Sequence, residues 1–404
     1  MRRELEMVLF GLMMASLLAT TLAGAEDAYR FDKTISQPVL RNYLSRSITA
    51  MDLLSRSDEL DENLRMLKNI GVKFAGRTVY VWGGEGRLPT LLESARQNAA
   101  KVRLVDDEMI LQAGAFEIVT REVERLSVPA RVFEAFGESV QERHFDYDAM
   151  LYPDRQLHDH WNRNASVPDI SQPESKRWFY YLATSYIDAG VEAIHFGQVE
   201  LMGRNDQDHR HWQQVLELVR RYAAIHARRH MLLCDGHVPS GGLVCDGRLV
   251  LDFHSFPLRI IEIPDRPQEG ELRVGYSDSI YGRSKGGVSP SGWSCEHLPY
   301  LVELDNWSAS DRPGQAGVPG FIWGYDEIGW FAHQDLGYRN QWLRYAWDWV
   351  RSHDEVGYLQ MPGSRCLHTA VSGNHWYRAN TPGPAAPLGF DQEDAIKSIW
   401  ASAK

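Results

Sequence analysis

Cysteine is scarce: the 404 residues hold 4, at Cys234, Cys245, Cys295 and Cys366. None stands in the CxxC spacing on which structural zinc sites are built. A chain of this size does not require cross-links, so structural thiols, or one bridge such as Cys234–Cys245, are expected. Basic runs are missing too. With 43 Lys and Arg against 54 Asp and Glu, the net charge is −11. Phosphate backbones need clustered cations, so nucleic acid is not an expected partner. Phosphate loops are absent: Trp82-Gly-Gly-Glu-Gly86 does not match GxGxxG, and no GK[ST] occurs. No GxSxG elbow supports a serine hydrolase. Beyond residue 25, no apolar run approaches the roughly 18 residues of a membrane span.

The start of the chain does carry such a run. Arg2 and Arg3 precede apolar Val8 to Leu22, and Ala23-Gly24-Ala25 follows with the small-x-small pattern of a cleavage site. Residues 1–25 therefore read as a signal peptide, which predicts a secreted or periplasmic protein with no membrane insertion after cleavage. The segment holds two Arg and two Glu, so its removal leaves the charge at −11. Residues 26–404 read as a single catalytic domain with a Pro/Gly-rich tail over 361–404.

Within that domain, helical and extended patterns alternate. Leu60, Leu64, Leu67 and Ile70 mark one helix face, with Asp58 as expected cap and Gly71 as stop. Further helices are expected over 88–101, 174–189, around Trp212–Ala223, and over Gln341–His353. Strands are expected at Leu44–Met51, Val72–Trp82, Glu108–Val119, Ala193–Leu201, from Met231, at Leu249–His254, Tyr300–Asp305 and Gly320–Tyr325. Eight strands alternating with helices predict an α/β fold, a (β/α)8 TIM barrel. The stretches 120–173 and 259–298 read as long insertions after strands 3 and 6.

Acids collect at the predicted strand ends, where barrel active sites lie. Glu200 closes the fourth strand, Asp235 and His237 the fifth, His254 the sixth, Glu303 and Asp305 the seventh, and Asp326 and Glu327 the eighth. Gln198 shares a face with Glu200, and Glu117 points inward if the third strand persists. Two carboxylates across a barrel mouth suit glycosidic cleavage, one protonating the leaving oxygen while the other attacks or activates water. The first pair is Glu200 and Glu303. Asp235, His237, His254, Asp305, Asp326 and Glu327 are candidate partners for sugar hydroxyls.

The aromatic supply fits. There are 13 Trp, 17 Tyr and 14 Phe, more Trp than packing alone requires. Trp82, Trp293, Trp307, Trp323, Tyr325 and Trp330 fall at or beyond strand ends, and sugar rings present C–H faces that stack on such rings. Trp307 and Trp323 are the expected platform, whereas Trp178, Trp212, Trp342 and Trp349 read as helix packing. The polar, Gly-rich Tyr276–Gly287 reads as a substrate-covering loop.

Acids at the ends of strands four and seven resemble the layout of the large clan of retaining (β/α)8 glycoside hydrolases. The resemblance covers about residues 40–350 and concerns layout. That clan usually carries Asn before the strand-four acid, where this chain has Val199. It implies Glu200 as acid/base and Glu303 as nucleophile in an exported hydrolase of a poly- or oligosaccharide, with no cofactor. Two other readings use the same barrel. Glu200, Asp235, His237, Asp252 and His254 together could bind a divalent metal in a sugar isomerase, epimerase or lyase. A non-catalytic carbohydrate-binding protein would use the aromatics without opposed acids.

Overall fold

The computed structural model describes residues 28–402; the signal-peptide reading of residues 1–25 lies outside them. Eight parallel strands form the barrel: β1 Ser47–Ala50, β2 Phe74–Val81, β3 Ile110–Ala115, β4 Ala193–His195, β5 Leu233–Asp235, β6 His254–Pro257, β7 Tyr300–Glu303 and β8 Gly357–Val371. Their order is β6-β7-β8-β1-β2-β3-β4-β5. The remaining seam, β5 to β6, is joined by a parallel bridge between His237 and Ser255, with Ser255 N donating to Gly236 O at 3.1 Å. The (β/α)8 barrel is thus nearly closed, with neighbours four strands apart facing each other across its mouth.

Helix α1, Gln37–Leu44, precedes the barrel and plugs its floor. Ser36 caps it, and Leu40, Tyr43 and Leu44 are buried against Phe74, Ile110, Leu233 and Leu301, which lie at or next to the first residues of their strands. Around the barrel run α2 Leu60–Ile70, α3 Leu88–Val105, α4 Pro173–Asp188, α5 Arg210–His226, α6 Glu327–His333, α7 Leu336–His353 and α8 Glu393–Ser402. Trp178, Trp212 and Trp342 are buried in the packing of these helices, as their spacing predicts. Gly71 ends α2 in a left-handed conformation, but Glu59, without a side-chain cap, occupies the place expected of Asp58.

The long insertions after β3 and β6 are present, the first lacking a barrel helix until α4 and the second holding only short two-residue strands. The eighth strand differs from the expectation. Gly320–Tyr325 is a loop in which Trp323 and Gly324 both take positive φ (48° and 77°), so no extended run can form there. Asp326 and Glu327 therefore do not end a strand. Asp326 caps α6 by accepting from Gly329 N at 2.8 Å, and Glu327 is the first residue of that helix. The true β8 begins at Gly357, after the Trp-rich helix. Residues 361–402 are correspondingly more than a tail. They complete β8, add the antiparallel strand β9 Asn374–Arg378, and form α8 against α2.

Strand β4 is also shorter than its apolar run. It ends at His195, and Gly197 turns the chain with φ of 57°. A Cβ at Gly197 would strike the Glu117 carboxylate and lie 3.2 Å from Glu117 N. The turn places Glu200 in a short helix, Val199–Met202, rather than on the strand. All four cysteines are free thiols.

Candidate active site

The C-terminal ends of the strands open into a cleft of about 960 Å³. Its most charged corner belongs to β7. Glu303, the last residue of that strand, pairs through one oxygen with Arg77 of β2 and through the other with Arg365 of β8, the latter at 2.6 Å. Arg365 is wholly buried, and a guanidinium removed from water requires such partners. It also reaches Asp305 at 3.2 Å and Asn306 Oδ1 at 2.5 Å.

Asp305 lies two residues beyond Glu303 and lines the cleft. Burial opposes its ionisation, but the positive charges of Arg365, Arg77 and Arg259 hold its carboxyl below the usual carboxylate range. Glu327 faces the same cleft from the start of α6. Its Oε1 accepts from Arg259 N at 2.7 Å and Ile260 N at 3.2 Å, and its Oε2 accepts from Asp305 N at 3.2 Å. Burial is the largest influence on Glu327; Arg259 opposes it, Asp305 reinforces it, and the backbone donors oppose it. The net effect pushes its carboxyl up to about 7. Two neighbouring acids thus have proton affinities driven apart, one toward the ionised form and one toward the protonated form.

The opposite wall comes from β3 to β6. Asp235 is fully buried and does not itself face the cleft. Its Oδ2 receives His195 Nδ1 at 2.7 Å and the Ser255 hydroxyl, while Oδ1 receives Gln112 Nε2 at 2.6 Å. His195 is the group that reaches the cleft. Glu117 lines it too, accepting from Gln198 N at 2.8 Å and Gln198 Nε2 at 2.9 Å. His237 lines it edge-on to Phe256, 4.3 Å between centroids. Burial, with Arg259 nearby, lowers the His237 imidazole to about 3, so it is neutral.

Two aromatic walls flank these groups. Trp307 is 37% exposed, with the Arg259 guanidinium 5.9 Å from its ring and Phe321 beside it. Arg259 is held from behind by Asp278 at 2.6 Å. Across the mouth, Trp82 is 44% exposed and packs edge-on against Trp161 and Phe116 at 5.1 and 5.5 Å. Tyr276, Ser277 and Asp278 of the expected covering loop line the cleft. Farther along that loop, Lys285 instead bonds Ser240 Oγ and Gly242 O.

Several sequence candidates lie elsewhere. Glu200 is outside the cleft lining, its two oxygens accepting from Ser240 N at 3.2 Å. His254 is buried beneath Gly242, with neither ring nitrogen hydrogen-bonded among the described residues. Trp323 is core, its Nε1 donating to Glu269 O at 2.8 Å, and Tyr325 stacks on His333 outside the cleft. Asp326 sits behind the cleft as a helix cap. Trp330 is buried, and Trp293 donates to Ile35 O at the opposite end of the barrel. The proposed metal ligands are dispersed: Asp252 pairs with Arg220 at 2.9 Å, and Asp235 serves His195. Among the described residues, no three His, Cys, Asp or Glu side chains gather in a ligating arrangement.

Sequence reasoning missed Arg77, His195, Arg259, Arg365 and Trp161. For His195 a signal existed. The His195-Phe-Gly-Gln run carries an ionisable residue at the end of a short apolar strand, where barrel sites are built.

Fold and cleft define a class: a (β/α)8 barrel with an acidic, aromatic-walled cleft at the C-terminal ends of its strands. No protein-family model and no curated protein matches the chain. Among solved structures, the acarbose-soaked debranching enzyme of Nostoc punctiforme is 10% identical, with TM-score 0.44 over 89% of this chain and 81% of that one. The α-amylase of Geobacillus thermoleovorans complexed with acarbose is 12% identical, with TM-score 0.43 over 89% and 78%. A trehalulose synthase variant is 13% identical, with TM-score 0.37, over 65% of this chain and only 56% of its own. The fold assignment rests on the strand order of this barrel itself. No helix among the described residues is long and apolar enough to cross a membrane.

Proposed function

We propose that this protein is an exported glycoside hydrolase acting on a poly- or oligosaccharide, with Asp305 as the ionised carboxylate and Glu327 as the proton donor. The observation that carries this reading is the opposed proton affinity of two adjacent acids in one cleft, Asp305 held low and Glu327 raised to about 7. Glu327 delivers its proton to the departing oxygen. Asp305 either attacks the anomeric carbon or draws the proton from an attacking water. Glu303, expected from the layout to be the nucleophile, here holds Arg77 and Arg365 in place around Asp305. Glu200 has no part, since it lies off the cleft. Export rests on the leader-like pattern of residues 1–25.

One observation favours a second reading, carbohydrate binding without turnover: Glu303 and Glu327 both have each oxygen occupied by protein donors. A polysaccharide screen for new reducing ends, run on the full chain and on Asp305→Asn, decides between them. Release of reducing ends that the variant abolishes supports hydrolysis. Retained binding with no release by either protein supports the lectin-like reading.

A further inference from the structure

The wall built from β3, β4 and β5 has an unusual hydrogen-bonding balance. Several of its side-chain donors are already spent on the protein itself. Gln112 Nε2 and the Ser255 hydroxyl go to Asp235, Trp161 Nε1 goes to Glu117 O at 2.8 Å, and Gln198 Nε2 goes to the Glu117 carboxylate. Glu117 itself remains in the cleft lining as an acceptor. The carboxylate of Asp235 can only accept, so the 2.7 Å contact puts a proton on His195 Nδ1. No protein group bonds His195 Nε2 among the described residues.

We propose that this wall is a subsite for a neutral, hydroxyl-bearing sugar unit, with His195 Nε2 accepting a hydrogen bond from one sugar hydroxyl and Asp235 acting as its positioning residue. The inference rests on the glycan reading of the cleft and adds the class of unit bound there. A sugar hydroxyl brings the proton that His195 Nε2 lacks. A uronic carboxylate set against Glu117 and Nε2 would bring further lone pairs to these two acceptors and leave them unmatched. Arg77, the nearby cation over the Phe116 ring, is already committed to Glu303.

The full chain, labelled with ¹⁵N-histidine, is the test. The free protein should show His195 with its proton on Nδ1 and a bare Nε2. Methyl glycosides of neutral hexoses should then shift the Nε2 resonance, and the matching methyl hexuronides should bind at least about tenfold more weakly. In Asp235→Asn, Gln112 continues to hold the amide oxygen, so the amide nitrogen faces Nδ1 and donates to it. The proton moves to Nε2, and neutral-sugar affinity falls about tenfold. Because the wild-type spectrum alone reports the tautomer, the outcome does not depend on the variant folding.

A proton on Nε2 in the wild type overturns the proposal, as does hexuronide binding equal to that of the neutral sugars. Sugar binding that perturbs Trp307 but leaves His195 unmoved overturns this subsite and spares the glycan reading. No perturbation of any cleft residue by any sugar removes both.

Discussion

Asp305 and Glu327 show how position within a few ångströms decides what a carboxyl group does. Asp305 sits among guanidinium groups, and Glu327 is buried where the charge of Asp305 adds to the cost of its ionisation. In the proposed mechanism the working form has Asp305 ionised and Glu327 protonated. Hydrolysis should therefore rise with pH through the depressed range of Asp305 and decline as pH passes about 7. Glu327→Gln should remove that alkaline limb and cost about 10²- to 10⁴-fold in kcat on an unactivated glycoside. A pH–rate profile in which the variant keeps the alkaline limb would take Glu327 out of the proton-donor role.

Asp326, one residue earlier, has the same raised affinity without facing the cleft. Burial is the chief cause, lifting its carboxyl to about 7, and its Oδ2 is buried without a partner. In the unfolded chain it releases its proton near the ordinary value of about 4. Between those pH values the folded state holds the extra proton, so this group lowers stability as pH rises from about 4 to about 7. Asp326→Asn removes the charge while its side-chain oxygen still caps α6 at Gly329. It should gain about 1–3 kcal/mol at about pH 8 and nothing at about pH 4, read from denaturant midpoints at the two pH values. Equal effects at both would show that Asp326 ionises freely in the fold.

At the scale of the element, β8 explains both what the sequence reveals and what it hides. Alternation of element types is legible because β1 to β7 are short apolar runs followed by turn residues, and the helices between them keep the 3.6 period. Strand β8 carries Pro362 and Gly363 in its middle, residues that argue against a central strand. They are accommodated by an irregularity against β1, where pairing shifts between Thr49 and Ala50. The better-looking run Gly320–Tyr325 is a loop because of positive φ angles that no hydrophobic pattern reports. The site was half legible for the same reason. Glu303, Asp305, Trp307, Gln198 and His237 follow strand ends and reach the cleft, whereas Glu200 was lost to a turn at Gly197. Arg365 was hidden in the unrecognised strand. A Cβ at position 363 would stand 2.5 Å from Thr49 O and 2.7 Å from the Ile48 side chain. Gly363→Ala should destabilise the barrel by about 1–3 kcal/mol in chemical denaturation, because backbone on one side cannot yield. A neutral result would mean that β1 and β8 are not packed as tightly as their register implies.

At the scale of the whole molecule, barrel closure converts sequence distance into opposition across the mouth. Trp82 follows β2 and Trp161 lies in the insertion after β3, while Trp307 and Phe321 follow β7. With the order β6-β7-β8-β1-β2-β3-β4-β5 closed at β5–β6, β2 lies three strands and β3 four strands from β7, so these two groups stand on opposite rims. The acids and His195 occupy the floor between them. A single sugar ring stacked on one rim leaves the other unused, and a cleft of about 960 Å³ lies at the upper end of the size that encloses one drug-sized ligand. A chain of several units can engage both rims at once. Trp82→Ala and Trp307→Ala should each weaken binding of a hydrolysed oligosaccharide by about 0.5–1.5 kcal/mol. Being remote from each other, the two losses should add in the double variant. Shortening the ligand to one unit should leave only one substitution with any effect, because one ring can reach only one wall. Isothermal titration of the four proteins against a ladder of chain lengths measures all of these. If the double variant loses no more than the worse single one on the longest ligand, the chain does not span the barrel mouth.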